Sequence, residues 1–97
     1  MKIGYIRCST LEQNVKRQYE GMKNLGIEKY FEEKVSAKDM NRPKLNEMLE
    51  FIREGDEVYC WDLSRISRSN KDLIEITEVF KNKKAKLICI KEGLVLG

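Results

Sequence analysis

The sequence has no histidine among its 97 residues. This absence excludes Ser-His-Asp and Cys-His catalytic arrangements and argues against a zinc site. No apolar stretch approaches the roughly 18 residues that a membrane-spanning helix needs, and the N-terminus lacks the long apolar segment of a secretory signal. We therefore expect a cytoplasmic protein without a membrane partner.

Cysteine is scarce and proline almost absent. The cysteines Cys8, Cys60 and Cys89 are odd in number, form no CxxC pair and lie in apolar, strand-like segments. They are best interpreted as reduced core thiols, which agrees with a cytosolic protein. The only proline is Pro43, and no repeat, low-complexity segment or Pro/Gly linker divides the chain. Residues 1–97 are therefore expected to form one domain.

The composition is that of an ordinary globular domain, with 41% hydrophobic and 36% charged residues. The net charge of +3 is too small to indicate a nucleic-acid partner by itself. Where the arginines lie is therefore more informative than how many there are.

The apolar residues alternate between the spacings typical of strands and of helices. Four strands are predicted, at Lys2–Cys8, Tyr30–Val35, Glu57–Leu63 and Leu87–Ile90. Three helices are predicted between them, one from Ser9 or Thr10 to Gly26, one beginning at Pro43 and one capped by Ser69 or Asn70. This alternation predicts an α/β fold. We expect a small three-layer sandwich, with a mainly parallel sheet of four or five strands and helices on both faces.

Ligands of such sheets bind beyond the carboxyl ends of the strands. Polar clusters follow three of the predicted strands, at Tyr5, Arg7 and Ser9, at Ser36, Lys38 and Arg42, and at Arg65 and Arg68. A spacing of two puts the first cluster on one face of its strand. A spacing of three puts the two arginines of the last cluster on one side of a helical turn. The fold should bring all three clusters to one edge of the sheet.

Several arginines beside a serine, without histidine, indicate phosphate chemistry. Guanidinium groups bind phosphate oxygens in bidentate fashion and stabilise the charge of a phosphoryl-transfer transition state. A serine hydroxyl can attack the phosphorus and form a covalent phosphoserine. The sequence identifies no general base. Neither GxxxxGK[ST] nor GxGxxG is present, which argues against a nucleotide-binding loop.

Each candidate residue also has a structural interpretation. Ser9 alone would fit the N-cap of a helix. Arg7 lies inside an apolar strand and needs a partner, which a salt bridge to Glu33 could provide. Arg65 and Arg68 could begin a solvated helix, although cations in a first turn oppose the helix dipole.

Together these segments resemble the resolvase/invertase family of serine site-specific recombinases, over essentially the whole chain. The matching pieces, in order, are GYIRCST, FEEKVSAK, NRPKLNEML, EGDEVYCWDLSRISRS and LICIKEGL. The resemblance implies that Ser9 is the nucleophile. It implies that the arginines around the scissile phosphate are Arg7, Arg42, Arg65 and Arg68. It implies supporting polar roles for Tyr5, Gln13, Gln18, Ser36 and Glu33.

The resemblance further implies DNA strand cleavage and religation through a 5′-phosphoserine link, with no metal or other cofactor. The implied partners are double-stranded DNA and, in the full-length protein, further copies that form a homodimer and a synaptic tetramer. The resemblance also implies that the family's dimerisation helix and DNA-binding domain are absent from these residues. Whether the parent is a resolvase, an invertase, a transposase or a large integrase stays open.

The sequence departs from the family at Ser64, where many members have an aspartate, and leaves open whether Asp62 takes its place. This departure favours one alternative, a non-catalytic regulatory or oligomerisation module with the same fold. A second alternative is another phosphate-handling enzyme. A cysteine phosphatase would need Cys-x5-Arg, but Asn14 stands six residues after Cys8.

Overall fold

The computed structural model describes residues 1–8, 15–35, 42–67 and 69–97. One sheet contains five strands, β1 (Lys2–Cys8), β2 (Lys29–Lys34), β3 (Glu57–Cys60), β4 (Lys86–Cys89) and β5 (Leu94–Leu96). The α-helices in the described ranges are α1 (Lys16–Met22), α2 (Pro43–Phe51) and α3 (Asn70–Lys83). None of these helices is long and apolar enough to cross a membrane.

The strand order is β2-β1-β3-β4-β5. The pairs β1–β2, β1–β3 and β3–β4 are parallel, and β5 pairs with β4 in the antiparallel direction. The predicted mainly parallel sheet is thus confirmed, with an antiparallel fifth strand at one edge. Because β2 and β3 lie on opposite sides of β1, the carboxyl ends of these three strands are neighbours. Such a switch point is where open α/β sheets bind ligands.

Helices cover both faces of the sheet, as predicted. On one face, Tyr5 of β1 belongs to a buried cluster with Met48 of α2 and Phe80 of α3. On the other face, a Cβ atom added at Gly4 would lie 3.1 Å from the Sδ atom of Met22 in α1. Neighbouring residues of β1 therefore point to different helices, as the alternation of a strand requires. The three cysteines are buried and free, in agreement with their interpretation as core thiols.

The third strand ends earlier than predicted. The sequence indicated a strand up to Leu63, but β3 stops at Cys60 and a 3-10 turn follows at Leu63–Arg65. Inside this turn the Ser64 hydroxyl donates to the carboxylate of Asp62. Short polar side chains that bond locally compete with the ladder of a sheet, which favours the turn over a longer strand.

The first helix also ends earlier than predicted. Its last residue is Met22, and Leu25 lies in the turn that leads to Gly26. The positive φ angle of 76° at Gly26 suits a residue without a side chain. The predicted helix start at Ser9 or Thr10 lies outside the described residues.

The other two helix starts are confirmed. Pro43 occupies the first turn of α2, where a backbone N–H would have no hydrogen-bond partner within the helix. Ser69 caps α3, since its hydroxyl accepts the backbone N–H of Asp72.

Candidate active site

Two buried arginines from separate segments meet at the 3-10 turn after β3. Arg7, near the end of β1, donates from Nε to the carbonyl oxygen of Arg65 at 3.0 Å. Arg42, directly before α2, donates from Nη2 to the same oxygen at 2.7 Å. The two arginines are only 2% and 5% exposed. A carbonyl oxygen has two lone pairs and can accept both bonds, so the two guanidinium groups hold the turn against the sheet edge.

Both arginines make further bonds to backbone oxygens. Arg7 donates from Nη1 to the carbonyl of Val35 and from Nη2 to that of Ser64, each at 3.0 Å. Arg42 also donates from Nη1 to the carbonyl of Ile66. These contacts connect the ends of β1 and β2 with the turn that follows β3.

A third arginine of the site contacts the backbone two residues before the predicted nucleophile in the sequence. Arg65 donates from Nη1 to the carbonyl of Arg7 at 3.0 Å. The buried side chain of Gln18, from α1, bonds both polar groups of the same residue. Its Nε2 donates to the carbonyl at 3.0 Å, and its Oε1 accepts the N–H at 3.3 Å. The backbone two residues before Ser9 is therefore fixed from two sides.

The buried hydroxyl of Tyr5 and the buried carboxylate of Glu33 contact Arg42. The Tyr5 hydroxyl donates to the carboxylate of Glu33 and accepts a bond of 2.8 Å from Nη2 of Arg42. Burial and the bond to Glu33 raise the pKa of Tyr5 above its ordinary value, so the hydroxyl stays protonated. Glu33 also accepts the backbone N–H groups of Lys44 and Leu45, each at 3.1 Å. A carboxylate placed there stabilises the N-terminus of α2 and thereby the segment that carries Arg42.

Six of the predicted site residues thus form one connected network at the carboxyl edge of the sheet. They are Tyr5, Arg7, Gln18, Glu33, Arg42 and Arg65. The other predicted residues lie outside the described part of the chain, namely Ser9, Gln13, Ser36 and Arg68. The proposed salt-bridge partner of Arg7 has a different neighbour, since Glu33 lies 3.9 Å from Nε of Arg42.

The site contains one acidic residue, Asp62, whose role the sequence left open. The carboxylate of Asp62 accepts the Ser64 hydroxyl at 2.5 Å and lies 3.7 Å from Nε of Arg65. The spacing of three between Asp62 and Arg65 is a signal for such a pair, provided that the chain turns there. The predicted longer strand concealed this signal.

The network carries an excess of positive charge. Its three guanidinium groups carry one positive charge each. Two carboxylates among the described residues lie near them, Glu33 beside Arg42 and Asp62 beside Arg65. Fixed positive groups at a sheet edge attract an anion and stabilise negative charge that develops on it. The described part of this edge therefore suits the binding of an anion such as a phosphate group.

The fold occurs in known recombinases. A resolvase family site-specific recombinase from Streptococcus pneumoniae superimposes with a TM-score of 0.80 at 24% sequence identity. The match covers 98% of this chain and 75% of that chain.

Sequence comparison identifies closer relatives. The transposon Tn917 resolvase of Enterococcus faecalis is 43% identical over 94 residues, which are 97% of this chain and 51% of the relative. The transposon Tn1546 resolvase of Enterococcus faecium is 41% identical over 91 residues, covering 94% and 48%. This chain thus spans about half the length of the curated relatives it matches. The family model described as "Resolvase, N terminal domain" matches residues 2–96, nearly the whole chain, and the chain therefore belongs to this resolvase family.

Proposed function

We propose that this chain is the catalytic domain of a site-specific DNA recombinase that uses Ser9 as its nucleophile. The observation that carries the proposal is a cluster of three arginines. Arg7 and Arg42 both donate to the carbonyl of Arg65, and Arg65 donates to the carbonyl of Arg7, two residues before Ser9. The three guanidinium groups come from segments that are far apart in sequence. Ser9 follows Arg7 by two residues in the sequence, and we therefore propose its hydroxyl as the group that attacks a phosphate attracted by this cluster.

The reaction is a transesterification. The Oγ atom of Ser9 attacks the phosphorus of a DNA phosphodiester, and the bond from phosphorus to the 3′ oxygen breaks. The products are a 5′-phosphoserine link and a free 3′-hydroxyl group, with the serine proton passing to solvent or to the leaving oxygen. Rejoining is the reverse attack by a 3′-hydroxyl. Because one phosphodiester replaces another, the reaction needs no ATP and, with arginines supplying the positive charge, no metal ion.

The arginines have two roles in this mechanism. Arg65 and Arg68 bind the non-bridging phosphate oxygens, where charge accumulates in the transition state. Arg7 and Arg42 add positive charge from buried positions, and their bonds to the carbonyl of Arg65 fix the segment that holds the phosphate contacts. Tyr5, Gln18 and Glu33 support the backbone and the arginines, and we assign Gln13 and Ser36 the same supporting role.

The intact protein acts on double-stranded DNA as an assembly. We infer a homodimer on each site and a tetramer that brings two sites together, because exchange requires breaks in both partner duplexes. Residues 1–97 supply the chemistry. Sequence-specific recognition of bases is then the task of other parts of the intact protein.

The first prediction is that a covalent adduct forms through Ser9. The protein expressed from its natural reading frame is incubated with a supercoiled plasmid that carries the DNA beside its gene, and the reaction is quenched with detergent. We expect a protein–DNA adduct with the wild-type protein and none with Ser9→Ala, since the substitution removes the attacking oxygen. The adduct is measured by gel shift after the quench.

The matched control is Thr10→Ala, which removes the neighbouring hydroxyl and should leave the adduct. An adduct that survives Ser9→Ala would refute the proposed nucleophile. If that adduct disappears in Thr10→Ala, the attacking residue is Thr10.

A further inference from the structure

Asp62 and Arg65 form a pair that is largely shielded from water at the edge of the candidate active site. The Oδ1 atom of Asp62 lies 3.7 Å from Nε of Arg65, and the two side chains are only 16% and 13% exposed. The pair is closed by the backbone, because the N–H of Arg65 donates to the carbonyl of Asp62 at 3.1 Å. The 3-10 turn thus holds the carboxylate and the guanidinium on one side of a tight loop.

Ser64 fixes the carboxylate of this pair. Its Oγ donates to the same Oδ1 atom of Asp62 at 2.5 Å. An aspartate at position 64 could not donate this bond when ionised. The serine at 64 and the aspartate at 62 therefore work as a unit, and the negative charge beside Arg65 originates two residues earlier than in the family pattern.

Two contacts orient the guanidinium of Arg65. Its Nη1 donates to the carbonyl of Arg7 at 3.0 Å. Its Nε lies 3.7 Å from Oδ1 of Asp62, a distance that fits an ion pair and is too long for a hydrogen bond. Arginine is flexible, and fixing it in advance reduces the entropy that would be lost when it binds a phosphate. A guanidinium oriented before substrate arrives also keeps the geometry that phosphoryl transfer requires.

We propose that Asp62, held by Ser64, is a positioning residue that orients Arg65 for its contact with the scissile phosphate. The proposal rests on the proposed function, since it deepens the role of Arg65. Asp62 acts through Arg65 and does not itself contact the DNA. It therefore affects how fast the bound phosphate reacts, and not how much DNA is bound.

The test compares three variants of the protein expressed from its natural reading frame. Asp62→Asn keeps the shape and removes the charge. Asp62→Asn combined with Ser64→Asp returns the charge at position 64. Asp56→Asn is the control, because Asp56 is a similarly buried aspartate that forms an ion pair with the N-terminal ammonium of Met1. Asp56 directly precedes β3 and therefore lies at the amino ends of the strands, away from the candidate active site.

Single-turnover cleavage of the supercoiled plasmid and DNA affinity are measured for each variant. We expect Asp62→Asn to slow cleavage by about 100-fold, the scale of a misplaced catalytic group. Its DNA affinity should not fall, because it removes a negative charge. The double variant should regain most of the lost rate. Asp56→Asn should be less stable but should cleave at the wild-type rate once folded.

Three results would overturn the proposal. They are wild-type cleavage by Asp62→Asn, a double variant as slow as Asp62→Asn, and an equal loss of rate in Asp56→Asn.

Nuclear magnetic resonance relaxation of the Arg65 Nε–Hε group separates this proposal from the proposed function. Restricted motion in the wild type that is lost in Asp62→Asn supports the positioning role, and unchanged motion contradicts it. This readout requires no cleavage. A wild-type protein without an adduct would refute the recombinase mechanism and would leave the relaxation result to decide on the pair.

Discussion

At the scale of single residues, Arg7 illustrates how the sheet accommodates a buried charge. Its nitrogens donate to the carbonyl groups of Val35, Ser64 and Arg65. Hydrogen bonds from a charged donor stabilise more than neutral ones, which offsets the cost of burying the guanidinium. The sequence predicted that Arg7 needs a partner. It could not predict these partners, because every residue has a carbonyl group and only the fold selects one.

Tyr5 provides a test of the buried network. In Tyr5→Phe, Glu33 loses a donor and Arg42 loses an acceptor, while the ring stays in the core. We expect a loss of about 1–3 kcal/mol in the free energy of unfolding, the cost of leaving buried polar groups without a partner. Urea unfolding at pH 7, followed by the fluorescence of Trp61, measures it.

The control for this prediction is Tyr59→Phe. The hydroxyl of Tyr59 donates to Glu57 at a half-buried position, where water can replace the lost bond. We expect a change of no more than about 0.5 kcal/mol. Equal losses in the two variants would contradict the role given to the buried network.

At the scale of elements, periodicity predicted which segments are strands and helices but not where all of them end. The short apolar segment of β1 and the apolar face of α2 are strong local signals, and both elements lie where predicted. The end of β3 depends on hydrogen bonds between Asp62, Ser64 and Arg65, and these form only when the chain turns. The fifth strand has three residues, too few for a pattern to identify it.

The packing of α1 against Trp61, the residue directly after β3, depends on a glycine that periodicity does not reveal. A Cβ atom added at Gly21 would lie 2.6 Å from the ring of Trp61. Alanine usually stabilises a helix interior by about 1 kcal/mol relative to glycine. Here we expect the opposite, because the methyl group forces the helix or the ring to move. Gly21→Ala should therefore lower the free energy of unfolding and shift the fluorescence of Trp61, the only tryptophan.

Glu20→Ala is the matched control on α1, because Glu20 is exposed on the same helix. It should change the stability by no more than about 0.5 kcal/mol. A Gly21→Ala variant that is as stable as the wild type, with unchanged fluorescence, would show that the helix does not pack as described.

At the scale of the whole molecule, the order of the strands explains why the site lies where it does. β1 stands between β2 and β3, so the loops after these three strands share one edge. The alternation of elements predicted the parallel sheet, and the position of polar residues after strands predicted which edge collects them. The sequence did not predict that Arg7 and Arg42 bond to the same carbonyl oxygen. That detail depends on three segments meeting in space.

The central claim is that this cluster of arginines activates a serine against a DNA phosphate. The most direct measurement is tandem mass spectrometry of the trapped adduct after digestion with nuclease and protease. We predict a nucleotide joined through its 5′ phosphate to the peptide that contains Ser9. A nucleotide joined to any other residue, or joined through its 3′ phosphate, would contradict the claim.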